Sequence, residues 1–436
     1  MTYRWKWHAL VQVCRRWRYI VFASPCRLHL QFRCRATTPV REILDVWPPV
    51  QIVVNDYRPI YLDGDNIIAA LEHPDRVCKI NLSRLTSSLL ERLATVMQEP
   101  FPVLEHLHLH HYDDQIPLVL PDTFLGGSAP RLSSLTLTGI PFPAVPKLLL
   151  SARDLVEIEL SAVPHTGYIS PEAMVTCLSK LTNLESLILK FQSPSSRPDR
   201  ESQRPLLPAP IDLPALIKLE LQGASEYLED FLARINTPVL TTTEITFFNR
   251  VVFDIPQLFN FFSRTKALGS VKGAQLFFNP DSAVFSVYCR DSPQLRSPDS
   301  RRFHVNVLCK AFDWKISFLV QICSQLLPLL SGVEWLAIFS NMLQMDFPDD
   351  LDHTQWLEIF RPFIAVQSLD IFFGLDELIA PALQELTGER VMEVLPALGR
   401  IYIPDRDPPE PVRQVLEPFI TARQLANRPV TVPWQR

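Results

Sequence analysis

Along most of the chain the apolar residues fall into one short pattern, apolar-x-x-apolar-x-apolar, with Leu, Ile or Val in the three places. It reads Val77/Ile80/Leu82, Leu104/Leu107/Leu109, Leu132/Leu135/Leu137, Leu155/Ile158/Leu160, Leu184/Leu187/Leu189 and Leu216/Leu219/Leu221. After a blurred stretch it returns as Val333/Leu336/Ile338, Val366/Leu369/Ile371 and Leu398/Ile401/Ile403. The last two residues of each triplet are two apart, which in a strand puts them on one face. Leu107 and Leu109 then point one way, His106 and His108 the other. The first residue, Leu104 in that triplet, enters the same core from the turn before the strand. Three branched side chains stabilise by roughly 1.5–3 kcal/mol apiece when fully covered, but one strand has nothing to cover them. Strands stacked side by side supply the cover.

Within the clear runs the triplets start 23 to 33 residues apart, which leaves room for a returning helix. The segment Leu85–Met97 carries Leu85, Leu89, Leu93 and Val96 at one-face helical spacing. Ser170 reads as an N-cap with Pro171 at the first position of a helix over 171–181. Phe318–Leu330 and Trp356–Val366 behave in the same way. Strand and helix alternating at this period predict an α/β fold, a curved parallel sheet backed by helices. That is a leucine-rich-repeat-like solenoid, whose usual period is about 20–29 residues. A helical-repeat array would show two amphipathic helices per period and no strand triplet preceded by Pro, as in FPVLEHLHL or LPALIKLEL. A right-handed β-helix has coils too short for these helices.

Two stretches interrupt the order. Residues 192–210 and 290–302 are rich in Ser, Pro and charge and read as solvated loops. Within them Ser193, Ser292 and Ser297 each precede Pro, a setting for proline-directed phosphorylation. From Leu240 to about Val320 the triplet degrades and aromatic residues accumulate, and irregular repeats are expected to continue there.

Composition narrows the classes. At 436 residues the chain exceeds the roughly 150 residues of one compact domain, whereas a repeat array lengthens without enlarging a central core. The net charge of −5 gives no general attraction to nucleic acid or to a membrane surface. With 39 Pro against 12 Gly, and no glycine-rich phosphate loop, nucleotide binding by those routes is excluded. None of the eight Cys forms a C-x-x-C pair, so buried thiols in a reducing compartment are expected. The N-terminal apolar run Ala9–Val11 is too short for a secretory signal, and no apolar stretch reaches the roughly 18 residues of a membrane span. The expected location is cytoplasmic or nuclear.

The first 41 residues hold nine Arg or Lys and no Asp or Glu. Within them Leu10, Val13, Cys14, Trp17 and Val21 recur at helical spacing as one apolar stripe, flanked by Arg15, Arg16 and Arg18 and ended by Pro25. By itself this helix reads as a cap over the open edge of the first repeat. A packed stripe leaves little reason for a membrane-surface or nucleic-acid role. The string VCRRWRYIVFASPCRLHL also resembles the C-terminal half of an F-box. With the continuation TTPVREILDVWPPVQIVV it is similar to the opening of F-box proteins of the mushroom lineage of fungi.

That resemblance covers roughly the first 55 residues. It implies an F-box remnant and connector over 1–47 and the repeat solenoid over 48–436. It implies a Skp adaptor and a cullin ligase core as partners. Val13, Cys14 and Trp17 fall at the family's Val-Cys-x-x-Trp positions, and with Leu10 they are the expected adaptor-binding or module-packing residues. Met1–Ala9 does not match the Leu-Pro segment that opens an F-box, so the module is expected to be shortened at its start. Two functions stay open: substrate recognition in a Skp–cullin–F-box ubiquitin ligase, and a non-catalytic scaffold without adaptor binding. A solenoid enzyme acting on polysaccharide lacks both a secretion signal and clustered Asp.

Few residues suggest chemistry. His106, His108 and His110 alternate along one expected strand, with His111, Asp113 and Asp114 close by, and a divalent metal is conceivable there. Solvent-facing positions of a repeat explain them as well, and no metal or cofactor is expected. Asp346, Asp349, Asp350, Asp352 and His353 read as an acidic loop. No nucleophile elbow, zinc-protease or kinase signature occurs, so the chain is not expected to be an enzyme. The candidate partner surface is His106, His108, Glu157, Glu159, Glu185 and Glu220, facing an unidentified target protein.

Overall fold

The computed structural model describes residues 13–23, 31–45, 49–56, 64–112, 118–192, 210–248, 255–265, 271–288, 301–341, 353–372, 375–386, 388–403 and 410–432. The chain divides into two compact units, Met1–Gln192 and Ser193–Arg436.

In the first unit a helix α1 (Arg15–Phe22) precedes seven strands: β1 (Gln31–Cys34), β2 (Gln51–Asp56), β3 (Val77–Leu85), β4 (His106–His111), β5 (Ser134–Thr138), β6 (Glu157–Val163) and β7 (Ser186–Phe191). They pair in sequence order and all in parallel. The helices between them are α2 (Val40–Leu44), α3 (Asp65–Leu71), α4 (Ser87–Val96), α5 (Val145–Leu149) and α6 (Pro171–Leu178). The triplets stack as expected. Cys34, Val54, Ile80, Leu107, Leu135, Ile158 and Leu187 sit opposite one another strand by strand, and every one is buried. Leu104, Leu132, Leu155 and Leu184 close this ladder from the preceding turns and are buried too.

Caps follow the sequence. Thr86 accepts the Leu89 backbone N–H at the start of α4 and Ser170 that of Ala173 at the start of α6, where Pro171 takes the first position. The helix expected from Leu85 begins two residues later, because Leu85 is still the last residue of β3, which reaches it through a bulge.

Two expectations for the start of the chain change. The sheet begins inside the segment assigned to cap and connector, since β1 pairs with β2. The apolar stripe is also broken. Cys14 is extended, at φ −160° and ψ 170°, and caps α1 from outside, so the helix does not run through Val13 and Cys14. Only Val21 is buried, at 2% exposure, whereas Val13 and Trp17 stand 65% and 48% exposed. Arg15, Arg16 and Arg18 surround them in solvent. Leu10 lies outside the described residues.

The second unit contains β8 (Ile211–Asp212), β9 (Lys218–Gly223), α7 (Ser225–Ala233), β10 (Ile235–Asn236), β11 (Thr242–Phe248), α8 (Pro256–Arg264), β12 (Gly273–Asn279), β13 (Ser282–Tyr288) and β14 (Arg301–Leu308). Then come α9 (Phe312–Gln325), α10 (Leu327–Leu330), β15 (Trp335–Ser340), α11 (His353–Phe360), β16 (Ser368–Ile371), α12 (Asp376–Gln384), β17 (Arg400–Tyr402) and α13 (Glu410–Leu425). Strands β8 and β10 form a parallel pair of their own.

Irregular repeats were expected over 240–320, and the region holds instead a hairpin inserted into the sheet. The order runs β9-β11-β14-β13-β12-β15-β16-β17, with β13 antiparallel to both its neighbours and the other pairs parallel. The core ladder nevertheless passes unbroken through Leu221, Ile245, Val305, Phe285, Leu276, Ile338 and Ile371, all buried. A buried lysine secures the hairpin: Lys315 Nζ, from α9, donates to the carbonyls of Asn279 at 2.7 Å and Pro280 at 2.8 Å. Burial holds its pKa below the ordinary lysine value.

The expected loop over 290–302 ends sooner, since β14 starts at Arg301. The helix expected over 318–330 begins at Phe312 and breaks at Leu326, while that expected from Trp356 starts at His353 and stops at Phe360, before Pro362. At the C-terminal end the buried Arg423 of α13 donates to the carbonyls of Leu398 and Pro396. Thr431 then pairs with the outer side of β17, which satisfies backbone groups that an edge strand leaves open.

Candidate partner-binding faces

A sheet with helices behind one face presents the alternate side chains of its strands on the other. In the first unit those positions are polar from β3 to β7 except at Ile188. Lys79, His106, Ser134, Glu157 and Ser186 form one row across β3 to β7, and Asn81, His108, Thr136, Glu159 and Ile188 the next. His106, His108 and His110 share this face and are half-buried, whereas His111 points into the core, within 3.2 Å of the Ser87 hydroxyl. The hydroxyls of Ser134 and Ser161 donate to Glu157 and Glu159. Burial lowers the pKa of His106 and, more weakly, Lys79 lowers it too, against Glu105 and Glu157. Burial likewise lowers that of His108 against Glu159. Both imidazoles therefore resist protonation.

The structure brings four of the six proposed surface residues together: His106, His108, Glu157 and Glu159. Glu185 lies in the turn before β7 and is exposed, outside the strand rows. Glu220 belongs to β9 in the second unit. No group of three or more His, Cys, Asp or Glu is placed to hold a metal ion among the described residues. Asp113, Asp114, Asp346, Asp349, Asp350 and Asp352 lie outside them, as do Ser193, Ser292 and Ser297.

The thiols mostly follow expectation. Cys34, Cys78, Cys177, Cys309 and Cys323 are buried, and burial pushes Cys34 up to about 12 and Cys78 and Cys177 up to about 11. Cys14 was expected to be buried and is exposed, because α1 starts beyond it.

The second unit presents a different surface. Phe277, Phe339 and Phe372 occupy equivalent places on β12, on β15 and just past β16. The rings of Phe277 and Phe339 are 6.5 Å apart, and those of Phe339 and Phe372 stack at 4.2 Å and 10°. Tyr402 meets Phe372 edge-on at 6.3 Å, and Arg400 lies 5.4 Å over the Tyr402 ring. Trp335 joins this ribbon, its indole N–H donating to Asp370 Oδ2 at 2.8 Å, while the Ser368 hydroxyl donates to the other oxygen. Burial raises the Asp370 pKa, and these hydrogen bonds partly offset it. Toward β9 the face turns polar: the Ser286 hydroxyl meets His304 Nδ1 at 2.9 Å, and Glu244 adjoins His304 in register.

No family model matches the chain, and no curated protein matches it. Among solved structures it is similar to the leucine-rich repeat-containing protein LegL7 from Legionella pneumophila, at 12% identity and a TM-score of 0.24, over 89% of this chain and 87% of that one. A superposition that loose says nothing about function. What the chain itself displays is an α/β architecture with a large, mostly parallel sheet in repeating strand–helix units. No described helix is long and apolar enough to cross a membrane.

The aromatic ribbon was missed in the sequence, although a signal existed. WLAIFS is a continuous apolar run up to its last residue rather than an alternating one, the mark of a strand covered on both faces.

Proposed function

We propose that this chain is a non-catalytic leucine-rich-repeat receptor that holds a target protein on its strand face, as the substrate-recognition subunit of a Skp–cullin–F-box ubiquitin ligase. Its support is the asymmetry of the sheet. One face is closed by helices over a continuous aliphatic ladder, while the other presents row upon row of side chains at a spacing of about 4.8 Å. Ubiquitin transfer would come from partner enzymes, with this chain supplying effective concentration. The resemblance of Val13–Leu30 to an F-box supports the ligase connection, and the exposed Trp17 and Ile20, three residues apart on α1, suit docking into a groove.

A second reading, a protein-binding scaffold without an adaptor, is favoured by the extended backbone at Cys14, which takes the Val-Cys pair off the helix that carries Trp17. Mixing the full chain with purified Skp adaptor separates the two. Under the first reading a complex elutes from size exclusion and is lost with Trp17→Glu; no complex from the unaltered chain leaves the scaffold. The target face is tested by a photo-cross-linking residue placed in cells at Thr136, at Gln275 or at Thr95 on the helix side. Cross-links arising only from Thr95 would sink both readings.

A further inference from the structure

We infer that the segment after α13, around Thr431, is a guard strap that keeps the last edge of the sheet from pairing with the same edge of a second copy of this chain. That edge is separate from the strand face, so the guard operates whatever target the face takes.

Strand β17 ends the sheet and is three residues long, Arg400–Tyr402. On its inner side the Gly399 and Arg400 amides donate to the Gln367 carbonyl. On its outer side the strap makes one rung. Ile401 N–H donates to the Thr431 carbonyl and Thr431 N–H to the Gly399 carbonyl, both at 3.0 Å, and the Thr431 hydroxyl meets that same carbonyl at 3.1 Å. In an extended segment the next donors to that side stand two residues away. Here they are Pro429 and Pro433, which have no N–H. The pairing is an isolated bridge, with Val430 buried beside it.

Arg423 holds both sides of this edge. Its buried guanidinium donates to the carbonyls of Leu398 at 2.7 Å and Pro396 at 3.2 Å, just before β17. Its own carbonyl accepts the Arg428 N–H at 2.9 Å, where the strap begins. A tethered segment acts at an effective concentration on the order of millimolar, so a single rung is enough to occupy a short edge.

The strand itself identifies what is kept out. The N–H and C=O of one residue point to the same side of a strand, so Ile401 turns both toward this edge. Two copies related by a two-fold axis through Ile401 would exchange both bonds, as a hydrogen-bonded antiparallel pair does. The same axis sets Arg400 opposite the partner's Tyr402 and Tyr402 opposite the partner's Arg400. Within one chain Arg400 already lies 5.4 Å over the Tyr402 ring, and cation against ring is a favourable contact across the axis as well. Arg-Ile-Tyr is thus complementary to itself when reversed.

Variants of the full chain test this, each first shown by circular dichroism to be folded. Thr431→Pro removes the remaining donor, Val430→Asn loosens the strap by a second route, and Thr431→Val keeps the backbone rung. Hydrogen exchange over 399–403, read by mass spectrometry, should quicken at least tenfold in the first two and little in the third. Light scattering during size exclusion should show the first two shifting toward dimer as concentration rises, with the unaltered chain and Thr431→Val monomeric. Adding Tyr402→Arg to Thr431→Pro sets cation against cation across the axis, which should return the monomer while exchange stays fast. Exchange unmoved by either loosened strap, loosened chains that remain monomeric at every concentration, or a dimer that survives Tyr402→Arg overturns the inference. A dimer formed by the unaltered chain through this edge does so too.

Discussion

In β4 and β7 every second residue is buried and those between are half-exposed, whereas all six residues of β15 are buried. The two units share one kind of core: aliphatic side chains stacked in register beneath helices. They differ on the other face, which is hydroxyl, imidazole and carboxylate in the first unit and an aromatic ribbon beside a carboxylate pair in the second. A repeat architecture fixes the inner ladder and leaves the outer rows free to vary, so specificity can change there without touching what holds the strands together.

The comparison breaks first at the shared core. Phe285→Ala should cost about 3–5 kcal/mol and Leu135→Ala about 2–5 kcal/mol, both being fully buried ladder residues. Amide hydrogen exchange should show each loss within the substituted residue's own unit; if both spread evenly over the chain, the division into two units is wrong. Lys315→Ala should follow, since it strips the donor from the Asn279 and Pro280 carbonyls at about 1–3 kcal/mol for a buried group left unsatisfied. Urea midpoints would register it, with faster exchange in β12 and β13.

A smaller effect distinguishes the outer faces. Asp370→Ala removes the acceptor of the buried Trp335 indole, for about 1–3 kcal/mol, while Asp370→Asn keeps an acceptor and should cost less than half of that by thermal melting. Acidity should then act on the two faces in opposite senses. The folded-state values of His106 and His108 are lowered, so their share of stability is intact above the ordinary histidine value near 6.5 and is lost as pH falls toward the folded value. Asp370 is raised, so its share is fullest below the ordinary aspartate value and is lost as pH rises through the folded one. Exchange rates compared at two pH values, with His106→Gln and His108→Gln as controls, measure this. Smallest of all, Thr136→Val on the polar face should change stability by no more than about 0.5 kcal/mol.

What could be read in advance follows from periodicity. Leu107 and Leu109 announce a strand because the residues between them are polar, and Ser170-Pro171 announces a helix because the cap and the fixed φ belong together. Strand β2 escaped because its register puts Ile52 opposite Val77, two residues before Val54 rather than three, and Asp56 opposite Leu82, so it carries no aliphatic triplet. Strand β1 was hidden in a basic stretch, with Phe32 and Cys34 alternating with Gln31 and Arg33. The hairpin escaped although Asn279-Pro280-Asp281-Ser282 is a turn sequence, because apolar runs on both sides of it carry no alternation to orient them. Of the candidate site, the imidazole row was legible and the ribbon was not, since its members are consecutive in space but far apart in the chain.

The reversed strand also has a consequence for synthesis. Each strand of the first unit can dock on one already made, so that half assembles in the order in which it leaves the ribosome. Strand β11 docks on β9 behind it, but its other edge waits for β14, which arrives only after β12 and β13. Until the segment around Phe303 has been translated, Thr242–Phe248 holds out one bare row of amides and carbonyls. A nascent chain halted at Tyr288 should aggregate more readily than one extended to Leu308, in which that row is paired.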